Sequence, residues 1–304
     1  MALSRRRFFQ GAGALTLLAG RLAAPAFAQP APAGDIPPTL PPILFVHGNG
    51  DHAALWMTTL WRMESNGVPR ERMAAIKADV EARYGVSVET IAADLSRRED
   101  VDQIATRVED PNHPVDLLVN NAGFAVHAKV LDPEALELHD RAVEVMMRAV
   151  LVLSAAAGRA MKARGHGAIL NLSSSSAWIN TGNYSAIKAW VLTFTEGLSN
   201  ELAGTGVKAM ALCPGWVHTE FHSRANVTAN HLPDFFWIDA EVLVREALND
   251  LDHDKVVSIP TPLWKFFIAV ATHTPRSAMR FLSRTLSSSR DKDDHPRHTP
   301  GGEA

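Results

Sequence analysis

Tyr184 and Lys188 lie four residues apart in the run Tyr184-Ser185-Ala186-Ile187-Lys188. On a helix that spacing is one turn on one face, so a phenol and an ammonium can act together. A free tyrosine titrates near pKa ~10, too high for proton transfer at neutral pH, and a cation within about 4–6 Å favours the phenolate and lowers that value. The pair has the chemistry of a general acid/base working on an oxygen. Alone, the string Y-x-x-x-K is weak, because an exposed tyrosine ahead of a lysine on any helix produces it. Its neighbours along the chain change the odds. Asp94-Leu95, Asn120-Asn121-Ala122-Gly123, Ser173-Ser174-Ser175-Ser176 and Pro214-Gly215 each follow a short apolar run. The carboxyl ends of strands are where ligands bind in open α/β sheets, since helix N-termini and loop amides converge there.

The elements that must carry these residues follow from periodicity. Short apolar runs at 43–46, 86–91, 115–119, 168–172, 207–212 and 255–259 read as buried strands. Helical patterns fall between them, at 53–65, 70–84, 101–108, 138–164 and 184–203. Strands alternating with helical crossovers predict an α/β fold, a truncated doubly wound parallel sheet of Rossmann-like form in a single main domain. Hydrophobic residues make up 46%, charged residues 21%, and the formal net charge is -3, the profile of an ordinary globular protein in which nothing asks for nucleic acid. The single cysteine, Cys213, rules out an intrachain disulfide framework and a thiolate zinc cluster, and no metal is expected.

The two ends read differently. Ser4-Arg5-Arg6-Arg7-Phe8-Phe9, an uncharged run from Gly11 to Gly20 and then Pro25-Ala26-Phe27-Ala28 resemble a twin-arginine signal over residues 1–28. That implies cleavage before Gln29, export to the periplasm or beyond, and no membrane partner for the mature chain. Pro30, Pro32, Pro37, Pro38, Pro41 and Pro42 make residues 29–42 a linker. Residues 287–304, charged and Pro/Gly-rich without periodicity, are expected to be a disordered tail.

Taken in order, the landmarks of residues 70–286 resemble the short-chain dehydrogenase/reductase family. The resemblance implies an NAD(P)-dependent oxidoreductase acting on a carbonyl or alcohol. Tyr184 would be the general acid/base, and Lys188 would tune it while bonding the nicotinamide ribose. Ser174 best matches the family serine that orients the carbonyl, with Ser173 and Ser175 as alternates. Asp94 and Leu95 would meet the adenine, and Asn120, Ala122 and Gly123 would line the cofactor channel, a structural role for Asn120 being the alternative. Pro214 and Gly215 would belong to the cofactor site, and Thr219 after them would contact the carboxamide. Met146 falls where the family presents an asparagine that holds a proton-relay water. Phe221, Leu232, Phe235, Phe236 and Trp237 occupy the family's lid region and suggest a small apolar substrate, with packing on the core an equal alternative. Trp264, Phe266 and Phe267 would cover the same pocket or join subunits, and the long helices imply a homo-oligomer. The body is of cytoplasmic type, in tension with the signal.

One expected motif is missing. No T-G-x-x-x-G-x-G string, whose glycines would admit the pyrophosphate, occurs in the body, and the second strand, whose end would discriminate a ribose 2′-hydroxyl from a 2′-phosphate, is also absent before Arg70, so NAD and NADP are not distinguished. In its place residues 43–69, with His47-Gly48, resemble the strand-turn-helix opening of an α/β-hydrolase. No G-x-S-x-G nucleophile elbow occurs anywhere in the chain. Three functions stand: the oxidoreductase, an inactive hybrid that binds no cofactor, and a secreted esterase. A missing central strand would leave unpaired edges on 86–91 and 115–119, and strand 43–46 could fill that slot.

Overall fold

The computed structural model describes residues 43–46 as backbone, and residues 81, 87–91, 93–126, 128–217, 234–281 and 283. The signal-like segment, the linker, most of the hydrolase-like segment, Thr219, Phe221, Leu232 and the tail lie outside the described residues.

Apolar runs too short for helices form the sheet. Strand β1 is Ile43–Val46, β2 Leu117–Asn120, β3 Gly167–Leu172 and β4 Val207–Leu212. Leu117, Leu118 and Val119 of β2 and Ala168, Ile169 and Leu170 of β3 are all buried, as sheets covered on both faces require. Helix α1 is Arg98–Glu109. A continuous helical stretch follows β2: α2 is Leu136–Val143, a π-helical turn spans Glu144–Arg148, and α3 is Ala149–Arg164. α3 ends on Gly165, whose φ of 76° is the left-handed conformation a glycine cap supplies. Helix α4, Asn183–Glu201, follows β3. A two-residue ladder of β5, Trp216–Val217, with β6, Trp237–Ile238, precedes helix α5, Ala240–Asp252. Strand β7, Val257–Ser258, and helix α6, Pro262–His273, complete the order.

The main sheet runs β1-β2-β3-β4-β7 and every pair is parallel. The register sets Val46 beside Asn120, Asn120 beside Asn171, and Leu212 beside Ser258, which aligns the carboxyl ends. Strand alternation divides the core. Leu118, Ile169 and Ala209 pack with Ile104 of α1, Leu153 of α3 and Ile187 of α4. Leu117, Val119, Leu170, Met210 and Leu212 face the other way, onto Leu243, Ala247 and Leu251 of α5. Burying one aliphatic side chain on either face contributes about 1.5–3 kcal/mol. The doubly wound parallel α/β architecture is thus as the alternation of elements predicts.

Two details differ. Residues 87–91 are not a strand. Ser87, Glu89 and Thr90 are exposed, and the Val88 amide donates to Glu81 Oε1 at 2.9 Å instead of entering a ladder. β1 does pair with the strand ending in Asn120, so the apolar run 43–46 takes up one of the two edges. The stretch 138–164, expected as one α-helix, is interrupted by the π turn at Glu144–Arg148, which widens the helix around Met146.

Candidate active site

The reactive side chains gather where β2, β3 and β4 end. Leu172 closes β3, and its carbonyl accepts a hydrogen bond from Lys188 Nζ at 2.8 Å. Lys188 is only 3% exposed, and a buried ammonium is costly without partners, so this carbonyl and its other interactions hold the charge in place. The adjacent Ser173 hydroxyl donates to the Lys188 carbonyl at 2.7 Å, tying α4 to the strand end from the opposite direction. Ser173 is buried and thereby committed to structure. Ser174 is half-buried and caps the short 3-10 turn Ser175–Trp178 by accepting from the Ser176 amide at 3.1 Å, a bond that uses a lone pair and leaves its O–H to donate. The Ser175 amide donates to the Pro214 carbonyl at 2.8 Å, which joins the β3 and β4 ends.

Tyr184 stands in the first turn of α4, half-buried, one turn before Lys188. Lys188 Nζ lies 5.7 Å from the centre of the Tyr184 ring, inside the range of a cation–π contact. Asn183, just ahead, meets buried His139 of α2, with its Nδ2 3.2 Å from the imidazole Nδ1. The helix turn that carries the phenol is therefore fastened to α2.

Gly123 forms a wall of the same space. A β-carbon there would sit 3.1 Å from Met146 Sδ and 3.6 Å from Lys188 Nζ, so the position admits no larger residue without displacing one of them. This contact sets Met146 beside the lysine, at the widened turn of the helix. Ala122 is buried, and Asn121 is half-buried with partners of its own.

Asn120 plays a different part. Its Nδ2 donates to Ser154 Oγ at 3.1 Å and to Asn171 Oδ1 at 2.8 Å; Ser154 also donates to Asn171 Oδ1, and Asn171 Nδ2 donates to Thr195 Oγ1 at 3.0 Å. This buried polar knot joins β2, α3, β3 and α4 beneath the reactive group, so the structural alternative for Asn120 is the one its side chain fulfils. Asn171, Ser154 and Thr195 were missed from sequence, although a lone asparagine inside the apolar run of β3 was a signal.

Asp94 and Leu95 are built into a turn. The Asp94 carboxylate accepts from the Ser96 amide at 3.0 Å and the Ser96 hydroxyl at 2.7 Å. Partial burial raises its pKa, but the Ser96 bonds and the charges of Arg141 and Arg97 together outweigh that and hold it below the usual carboxylate range. Leu95 is buried in the core. At the β4 end, Pro214 is buried, and Gly215 is packed against the Trp264 ring of α6 so tightly that any β-carbon would enter the indole. Trp264 Nε1 donates to the Phe236 carbonyl at 3.1 Å, and Trp216 and Trp237 meet edge-on at 5.6 Å. Trp216, Phe236, Trp237 and Trp264 thus gather on the β4 side, with Trp264 packed against the core, while Phe235 is exposed. Among the described residues no cluster could hold a metal ion.

A phenol, a buried ammonium, a serine hydroxyl and a glycine wall at the carboxyl edge of a parallel sheet can bind and protonate a small oxygen-bearing group. The short chain dehydrogenase family model matches residues 63–230. An uncharacterized oxidoreductase of Staphylococcus aureus is 32% identical over 145 residues, which is 47% of this chain and 62% of that one. A short chain dehydrogenase of Pseudocercospora fijiensis is 36% identical over 154 residues, 49% of each chain. This chain therefore matches only about half to three-fifths of the length of these curated relatives. Among solved structures, the short-chain dehydrogenase from Sphingobium yanoikuyae in complex with NADPH is 25% identical with a TM-score of 0.62, covering 86% of this chain and 99% of that one. The strand-end geometry and the span of the family model agree: the chain belongs to the short-chain dehydrogenase family.

Proposed function

We propose that the chain is an NAD(P)-dependent oxidoreductase that interconverts a small apolar carbonyl compound and its alcohol. The observation that carries this reading is the placement of Lys188 Nζ on the Leu172 carbonyl, beside Gly123 and one turn from Tyr184. The nicotinamide end of a cofactor would meet these residues at Gly123, where a β-carbon would come 3.6 Å from Lys188 Nζ and 3.1 Å from Met146 Sδ, so that a glycine alone spares the space beside the lysine. Lys188, Gly123, Pro214 and Gly215 would hold that end, and the cofactor would supply the hydride. Residues 47–51, which would have to stand in for the glycine-rich phosphate turn, lie outside the described residues.

Within this reading Tyr184 gives a proton to the substrate oxygen during reduction and takes it back during oxidation. The Lys188 charge favours the phenolate and so keeps that exchange accessible near neutral pH. Ser174 donates to the same oxygen and fixes its direction. The aromatic side chains Trp216, Phe236 and Trp264 favour an apolar substrate. The relative from Sphingobium yanoikuyae is a complex with NADPH, which supports a nicotinamide cofactor without choosing between NAD and NADP. Export by the twin-arginine-like signal and homo-oligomerisation belong to the same proposal.

The test is a panel of aryl and alkyl ketones and aldehydes with NADH and NADPH, followed by nicotinamide absorbance. Turnover abolished by Tyr184→Phe supports the reading. The inactive hybrid rests on one observation, the lack of the glycine-rich string, and it predicts neither turnover nor binding of either nucleotide.

A further inference from the structure

The C-terminal unit exposes apolar surface of unusual composition. On α6, Phe266 is 64% exposed, Val270 50% and Phe267 38%, and in the next helical stretch, residues 276–281, Phe281 is 74% exposed. The unit is nevertheless anchored from beneath: Ile268 and Met279 are buried, Trp264 packs on Gly215, and Ser283 Oγ accepts from the Asn180 amide at 3.1 Å. Ring contacts link Phe235, Phe236, Phe267 and Phe266 into one aromatic sheet, with centroids 4.4, 5.6 and 5.9 Å apart in turn. The helices are thus ordered by an inner face while an outer face of large apolar side chains points away from the core.

Charge segregates to the same place. Residues 262–281 carry Lys265, Arg276 and Arg280 and no aspartate or glutamate, in a chain whose net charge is -3. Arg276 and Arg280 are exposed beside Phe281, and Lys265, although 3.6 Å from Glu246, lies next to Phe266. Apolar and aromatic side chains at the tip with cations around them match the interface of a lipid bilayer, where rings enter the headgroup boundary and basic side chains meet anionic phosphates. A second copy fits less well, because a symmetric contact through this face would bring Arg276 and Arg280 of both copies together. No helix among the described residues is long and apolar enough to cross a membrane, so the fit is to the surface.

We infer that the α6 unit docks the protein on the surface of an anionic lipid bilayer through Phe266, Phe267, Val270 and Phe281, with Arg276 and Arg280 on the headgroups. This departs from the expectation of no membrane partner. It has a consequence for the site, since Trp264 of the same helix packs against Gly215 at the β4 end. Docking would set that rim toward the acyl region and let an apolar carbonyl compound enter from the bilayer. Only this consequence rests on the oxidoreductase reading.

Flotation of the full-length protein with phosphatidylglycerol vesicles, and separately with phosphatidylcholine vesicles, tests the docking without any activity readout. Strong recovery with phosphatidylglycerol, weak recovery with phosphatidylcholine and release by salt are expected. At the usual strength of a basic residue near an anionic surface, R276Q/R280Q should weaken partition about thirtyfold. F266S/F281S should abolish it, with an unchanged far-UV circular dichroism spectrum because both rings lie outside the core. Equal recovery of the wild type with and without either vesicle type overturns the inference. So does sedimentation velocity showing a lipid-free dimer that F266S/F281S dissociates, because the face would then belong to a second copy. If docking holds and turnover is absent, the oxidoreductase reading fails alone.

Discussion

Replacing Asn171 by alanine should cost far more stability than its single amide suggests. Its side chain is fully buried, accepts from Asn120 and Ser154, and donates to Thr195. Three net hydrogen bonds at about 1 kcal/mol each give a loss of roughly 3 kcal/mol. Ser154 then loses its acceptor in a site closed to water, and the vacated volume adds a cavity term, so the total reaches about 3–5 kcal/mol. Thr195 keeps its own donation to the Val191 carbonyl at 2.7 Å and is spared. T195V should therefore cost less, about 1–2 kcal/mol, and the double variant should fall short of the sum because both changes remove the same bond. Urea unfolding followed by circular dichroism measures all three, with exposed Asn200→Ala as a control expected within about 0.5 kcal/mol of wild type. A loss below about 1 kcal/mol for Asn171→Ala, or strict additivity with T195V, would refute the view that this knot fastens the four elements beneath the site.

The other expectations concern chemistry. Tyr184→Phe should leave the circular dichroism spectrum unchanged and lower kcat about a hundredfold or more, because it removes only the proton-bearing oxygen; an unaltered rate would exclude the phenol as the acid/base. Met146→Asn places an amide beside Lys188, where the thioether is a poor acceptor, and is expected to raise kcat several-fold in a steady-state assay; a fall with normal stability would show that the thioether suits this site better. Burial pushes the Cys213 thiol up to about 12, so iodoacetamide should label it in urea and spare it in the folded protein near pH 8. Its contribution to stability is fully present below about pH 9, the usual thiol value, and is lost as pH rises through 12; Cys213→Ala should flatten that alkaline limb of the urea midpoint, and an unchanged limb would contradict the burial argument.

The parallel fold was legible because buried strands in such a sheet are continuous apolar runs, and 117–120, 167–172 and 207–212 fall where the sequence places them. Run 86–91 misled because only Val86, Val88 and Ile91 of it are apolar, too little for a strand buried on both faces of a parallel sheet. The gathering of Tyr184, Lys188 and Gly123 was legible because their spacing and strand-end positions are local properties. The role of Ser173 was not, since the bond from its hydroxyl to the Lys188 carbonyl depends on how α4 lies against β3. For the same reason the sequence left Asn120 open between a channel and a structural role, because its partners Ser154 and Asn171 come from elsewhere in the chain. The π turn around Met146 left no mark in composition.

Titration of the purified full-length protein with NADH and NADPH, followed by nicotinamide fluorescence, tests the central claim most directly. Saturable binding of at least one nucleotide in the micromolar range is expected, weakened about tenfold or more in Lys188→Met by loss of a charge-assisted hydrogen bond. No saturable signal with either nucleotide, from protein shown to be folded by circular dichroism, would contradict it.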